Sequence, residues 1–170
     1  MNKLITIFLA LFAGLSLLTG CGEKIQQSST QTQSADFPMY DAEALINGKT
    51  DLVAVVDVVN TEEVKDGAID PEGTHQEAIL QVRNKIYGDE SRPQIKLYQS
   101  VDRVQKNKTY LLFLSYRSTV DQYVVSDGRS QIEVKDKKVK VDIEGIEGEY
   151  TLDEFDTVFK EKVKKVKNTK

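Results

Sequence analysis

Leu52-Val53-Ala54-Val55-Val56-Asp57-Val58-Val59 is the stretch that decides the fold. Its β-branched side chains fall on both alternating faces, which predicts a strand covered on both sides, either central in a sheet or long and bent through a barrel. Upstream, Asp41 can cap a short helix whose Ala44, Leu45 and Ile46 precede Gly48, a good residue just past a helix end. Downstream, further strands are expected at residues 76–86, 94–98, 110–116, 122–126, 131–135 and 138–143. Asp136-Lys137 joins the last two by a tight turn, and Val139, Val141 and Ile143 alternate with Lys140 and Asp142 as in a half-buried strand. The chain then closes on a helix: Thr151 and Glu154 have capping-box spacing, and Leu152, Phe155, Val158, Phe159, Val163 and Val166 share one face. The expected fold class is therefore mainly β (α+β), with a short N-terminal helix and an amphipathic C-terminal one.

The N-terminus carries a different signal. Lys3 precedes an uncharged run over residues 4–18, followed by small residues and Cys21, the only cysteine. That run is shorter than the roughly 20 residues a spanning helix needs, so it has secretory-signal layout. Leu18-Thr19-Gly20-Cys21 resembles the bacterial lipobox. The resemblance implies cleavage between Gly20 and Cys21 and acylation of Cys21 by diacylglycerol and palmitate, giving a lipid-anchored chain facing outside the cytoplasm. The alternative is an ordinary signal peptide or anchor with an incidental cysteine. If the envelope has two membranes, Gly22 rather than Asp after the cysteine resembles cargo for the outer one. Residues 21–36 are polar and too poor in apolar surface to fold, which predicts a flexible tether spanning about 20 Å. The domain reading is thus a signal peptide at 1–20, a tether at 21–36 and one β-rich domain at 37–170, a usual size for a single core.

The strand order, with Val104-Gln105-Lys106-Asn107-Lys108-Thr109-Tyr110-Leu111-Leu112-Phe113-Leu114, resembles small secreted bacterial domains built as five-stranded OB-like or TIMP/netrin-like antiparallel barrels with an added helix. The resemblance covers about residues 50–126 and implies a fold rather than an activity. TIMP-type inhibitors present a free N-terminal cysteine amine to zinc. An acylated Cys21 at the end of a tether offers no such group.

Composition and motifs limit the chemistry. Lys3 is the one ionisable residue before Cys21, so of 23 basic and 27 acidic residues, 22 and 27 remain after it, a formal charge of −5. A nucleic-acid partner would call for a basic excess instead. Gly48-Lys49-Thr50 matches the end of a P-loop, but Glu43 stands where its first glycine belongs, and the triplet leaves a helix rather than entering one. Ser126-Asp127-Gly128 is similar to an S-D-N element, but no S-x-x-K accompanies it, so a turn after a strand is expected. His75, the only imidazole, cannot form a His-based zinc site alone and is expected in a solvated loop. The stretch from Glu62 to Gly73 is expected to be a hairpin loop; the alternative is a calcium site using Asp66, Asp70 and Glu72, although EF-hand spacing is absent. No cofactor motif is present.

Two function classes follow. The first is a membrane-anchored, non-catalytic lipoprotein whose barrel binds a protein or envelope polymer; Tyr87, Tyr98, Tyr116 and Tyr123, at or near strand ends, are candidates for its aromatic patch. The second is a cell-envelope hydrolase using acidic residues, which requires facing carboxyl groups with raised pKa. Lys160, Lys162, Lys164, Lys165 and Lys167 crowd the end of the last helix, where they suit its dipole; the alternative is contact with anionic lipid.

Overall fold

β1 (Leu52–Lys65) runs from a doubly covered first half into an exposed second half, and the change in its burial explains the architecture. The computed structural model describes residues 38–65 and 73–169; Cys21, the leader, the polar stretch after it, and Asp66, Asp70 and Glu72 lie outside the described residues. Leu52, Ala54, Val56 and Val58 point to one core, whereas Val53 and Val55 point to another. Both expectations for this strand hold at once: it is covered on both faces, and it is bent through a barrel.

Four more barrel strands follow: β2 (Thr74–Tyr87), β3 (Gln94–Gln99), β4 (Thr109–Arg117) and β5 (Gln122–Val125). They hydrogen-bond in the order β1-β2-β3-β5-β4, and β4 returns to β1, closing a five-stranded barrel. All pairings are antiparallel except β3 with β5, which meet in parallel at a single residue pair, Leu97 and Tyr123. β1 pairs with β2 over nearly its whole length and with β4 only from Leu52 to Asp57. Three register shifts between Val53 and Asn60 bend it away from β4, as bulges do. This is the OB-like barrel that the sequence resembles.

Leu52, Val56, Leu80, Leu97, Leu112 and Leu114, each fully buried, fill the barrel interior. The second core lies outside it. There α2 (Leu152–Asn168) lays Phe155, Phe159 and Val166 over Val53, Val55, Leu111 and Phe113. The Phe159 ring meets Phe113 edge-on at 5.5 Å and Tyr87 at 6.1 Å. Edge-to-face packing of this kind adds roughly 0.5–1.5 kcal/mol per pair beyond burial. The capping box forms as read, with Thr151 and Glu154 each satisfying the other's backbone N–H.

β6 (Gln131–Glu133) continues along the β4 edge that β5 leaves, and β7 (Lys138–Val141) departs to pair with β8 (Gly148–Thr151). The turn at Asp136-Lys137 has positive φ at both residues, 50° and 62°, a type I′ hairpin turn. The short N-terminal helix comprises α1 (Ala42–Ala44), capped by Asp41, and a wider turn, Leu45–Lys49, closed by the Thr50 N–H donating to the Leu45 carbonyl. Gly48 ends it at φ 112°, the left-handed conformation expected of it.

Local expectations change at three places, one of them the strand expected over 138–143, which ends at Val141 and leaves Ile143 buried in the turn that follows. Thr61 to Lys65 pair residue by residue with Ala78 to Thr74, so Glu62 and Glu63 belong to β1 rather than to a loop. β8 carries no strand signal in the sequence, because Gly148-Glu149-Tyr150-Thr151 is short, half polar and merges with the helix cap.

Candidate functional site

On the outer face of β2, β3 and β5 the barrel carries an open groove of about 550 Å³, lined by His75, Glu77, Tyr98, Arg117, Val120, Gln122 and Val124. Strand alternation puts them there: Ala78, Leu80, Leu97 and Tyr123 take the inward positions, so their neighbours face out. The His75 and Tyr98 rings pack 4.5 Å apart and form an aromatic floor. His75 is therefore a buried strand residue, only 9% exposed, and not a solvated loop histidine. Its strand starts before the expected position because β2 must match the long exposed end of β1. Glu77 accepts a hydrogen bond from the Gln122 side-chain amide at 2.8 Å, tying β2 to β5 across the groove. Val120, 60% exposed, rises from the β4–β5 turn as an apolar rim.

A second groove of about 320 Å³ shares Tyr98, Arg117 and Val124 with the first and continues toward Pro38 and Tyr40. Its walls are Ser100 and Val101 beyond β3 and Val125 and Ser126 at the end of β5, where the two strands part after their single pairing. Arg117 lines both grooves. Its guanidinium has no hydrogen-bond or ion-pair partner among the described residues, so it offers a fixed positive charge at their junction.

The far end of this groove is held by Asp127, which is 1% exposed. Its carboxylate accepts from the Tyr40 N–H at 2.8 Å, the Arg129 N–H at 2.9 Å and the Ser130 hydroxyl at 2.7 Å. Arg129 donates in turn to the Tyr40 carbonyl. The Ser126-Asp127-Gly128 segment is thus the expected turn after a strand, and its aspartate fixes the start of the described chain to the barrel. Thr50, in the Gly48-Lys49-Thr50 triplet, is buried and bonds to the Ser126 hydroxyl at 2.8 Å.

A polar cluster closes one end of the barrel. Glu90 accepts from the Arg92 backbone N–H, Nε and Nη2 and from the Tyr123 hydroxyl, and Arg92 Nη1 donates to Asp121. The guanidinium holds the Glu90 carboxyl down at about 2 against the opposing effect of burial. Burial, and then the hydrogen bond to Glu90, raise the Tyr123 phenol. Asp121 is lowered by the Tyr116 hydroxyl and Arg92, while the bond to Asp121 raises Tyr116. Glu63, Glu133 and Glu154 are lowered too, chiefly by Thr74, Lys108 and the Thr151 N–H respectively. Every described carboxyl group that the fold displaces therefore moves toward the ionised form, opposite to what a general acid needs.

The four candidate tyrosines separate. Tyr98 floors the groove, Tyr116 and Tyr123 pack together at 5.1 Å beside Arg92, and Tyr87 lies under α2. Among the described residues no group of three or more His, Cys, Asp or Glu side chains is arranged to hold a metal ion. No helix among them is long and apolar enough to cross a membrane. No protein-family model matches the chain, and no curated protein matches it.

Proposed function

We propose that this chain is a membrane-anchored surface lipoprotein, tethered through acylated Cys21, whose OB-like barrel is a non-catalytic binding module. The observation that carries the binding reading is the joined groove on β2, β3 and β5, with its His75–Tyr98 floor, apolar Val120 and Val124, and Arg117, which has no partner among the described residues. Barrels of this kind bind extended ligands across the second and third strands, with the loop between the fourth and fifth at the rim. The barrel interior is packed with side chains, which leaves the outer face for binding. The groove mixes apolar floor with a few convergent polar groups, as ligand sites do. The alternative, an acid hydrolase, needs a carboxyl group raised toward neutrality, and among the described residues the displaced carboxyl groups move the other way.

The test is crosslinking and affinity capture from intact cells that express the wild-type chain, Cys21→Ala, or Tyr98→Ala with Arg117→Ala. A partner held by the wild type and lost in the groove variant is expected. A wild-type yield no higher than that of the groove variant would remove the binding site from this face.

A further inference from the structure

The lysines that crowd the end of α2 are surface charges in the sequence; the fold gathers them with others. Lys167 stands over the Tyr87 ring at 5.4 Å, and Tyr87 in turn contacts Phe159. Lys167 and Lys85 line one open groove of about 620 Å³ with Gly48, Thr50 and Tyr87. Lys49, one residue past Gly48, lies over the Tyr40 ring at 5.3 Å. Lys164 and Lys165 are exposed on the last turns of the same helix. The described carboxylates nearby are Glu161 in the second half of α2, Asp51 and Asp89 in the groove, and Asp41 and Glu43 at the start of the helix that leads to Lys49, where Asp41 is used as the cap. Asp51 already accepts from the Tyr116 N–H. Asp153, Glu154 and Asp156 sit at the other end of α2, where Asp156 is paired with Lys160.

This basic end also lies close to where the described chain begins. Ala42, Leu45 and Ile46 belong to the same core as Phe159 and Val166, and Tyr40 is packed against that core. Sixteen residues separate Cys21 from Pro38. If that stretch is the flexible tether its composition predicts, it would span about 20 Å. An anchor at Cys21 would hold the lysines within about that distance of a bilayer, where each is attracted to anionic headgroups.

We propose that the Lys49, Lys85, Lys164, Lys165 and Lys167 surface docks on an anionic lipid bilayer and orients the barrel on it. The proposal rests on the lipoprotein reading for the proximity of the bilayer. His75 and Tyr87 stand near opposite ends of β2, about 40 Å apart along the strand. Docking through the Tyr87 end therefore sets the His75–Tyr98 floor far along β2 from the bilayer, while the Tyr40 end of the groove, beside Lys49, lies nearer to it.

The experiment uses the chain from residue 21 with Cys21→Ser, so that no acyl chain contributes, and measures co-sedimentation with vesicles of phosphatidylglycerol and phosphatidylcholine in equal parts. Binding to these vesicles and not to phosphatidylcholine alone is expected. Lys164→Gln, Lys165→Gln and Lys167→Gln together should weaken it by about tenfold or more, while the charge-matched set Lys65→Gln, Lys96→Gln and Lys106→Gln should leave it within about twofold. All six side chains are exposed, so folding is preserved in both sets. Equal losses in the two sets, or no binding by the parent chain, would overturn the docking surface. Labelled-palmitate incorporation at Cys21 in cells tests the anchor separately, so failure of one reading is distinguishable from failure of the other.

Discussion

Glu90 is the most informative single position for stability, because its side chain is 8% exposed and stays charged only through the partners around it. Glu90→Gln keeps the shape and removes the charge. The fold lowers this carboxyl from 4.5 to about 2, with Arg92 the largest cause. A displacement of that size corresponds to a ceiling of about 3 kcal/mol. Arg92 is 40% exposed, so water screens the pair, and about 1–2 kcal/mol is the realistic contribution. The direction fixes the pH window. A group whose pKa is lowered by folding contributes stability that is fully present above its unfolded value, near 4.5, and is lost as pH falls toward about 2. Urea denaturation of both proteins should therefore show the variant about 1–2 kcal/mol less stable at neutral pH, with the two curves converging below about pH 3. A gap that stays constant from neutral to acid pH would refute the reasoning, because the loss would then come from packing and not from charge.

Four other outcomes follow from the structure. Phe159→Ala, emptying the contact with Phe113, Phe155 and Tyr87, should cost about 3–5 kcal/mol in denaturant unfolding, whereas the exposed Thr157→Ala on the same helix should cost under about 0.5 kcal/mol. Gly88→Ala should destabilise by more than about 2 kcal/mol, since φ is 96° and the added Cβ would lie 2.1 Å from the Asp51 carbonyl oxygen; thermal melting measures it. Asp127→Ala should cost about 1–3 kcal/mol and raise the hydrogen-exchange rate of the Tyr40 amide, which loses its acceptor. Arg117→Ala should leave the melting temperature nearly unchanged and reduce partner capture, a separation that a structural role for Arg117 would not produce.

The parts of the fold that were legible in the sequence are those where one residue pattern has one solution. The run from Leu52 to Val56 cannot bury both faces except between two cores, and Thr151 with Glu154 and the spaced Phe155 and Phe159 admit only a capped, one-sided helix. The second halves of β1 and the start of β2 were hidden because Glu62, Glu63 and Lys65 form an exposed ribbon whose polar side chains resemble a loop. The groove was harder to see. Its residues come from β2, β3, β5 and the β4–β5 turn, and only barrel closure through Leu97 and Tyr123 brings Tyr98 beside Val124. Tyr98 is a candidate from the sequence alone, but His75 reads as a solvated loop residue because the ring it packs on lies 23 residues away. Arg117 carries no signal in sequence; that it has no partner among the described residues is visible only when its surroundings are.

The central claim is that the β2–β3–β5 face of an anchored barrel holds the partner. Site-specific photocrosslinking in intact cells tests it most directly, with the reactive group placed in turn at Tyr98, Val120 and Val124 in the groove and at Thr157 on the exposed side of α2. The account predicts one common adduct from the three groove positions, none from Thr157, and loss of the adduct in Cys21→Ala. Adducts of equal yield from Thr157, or none from the groove positions in a correctly acylated chain, would contradict it.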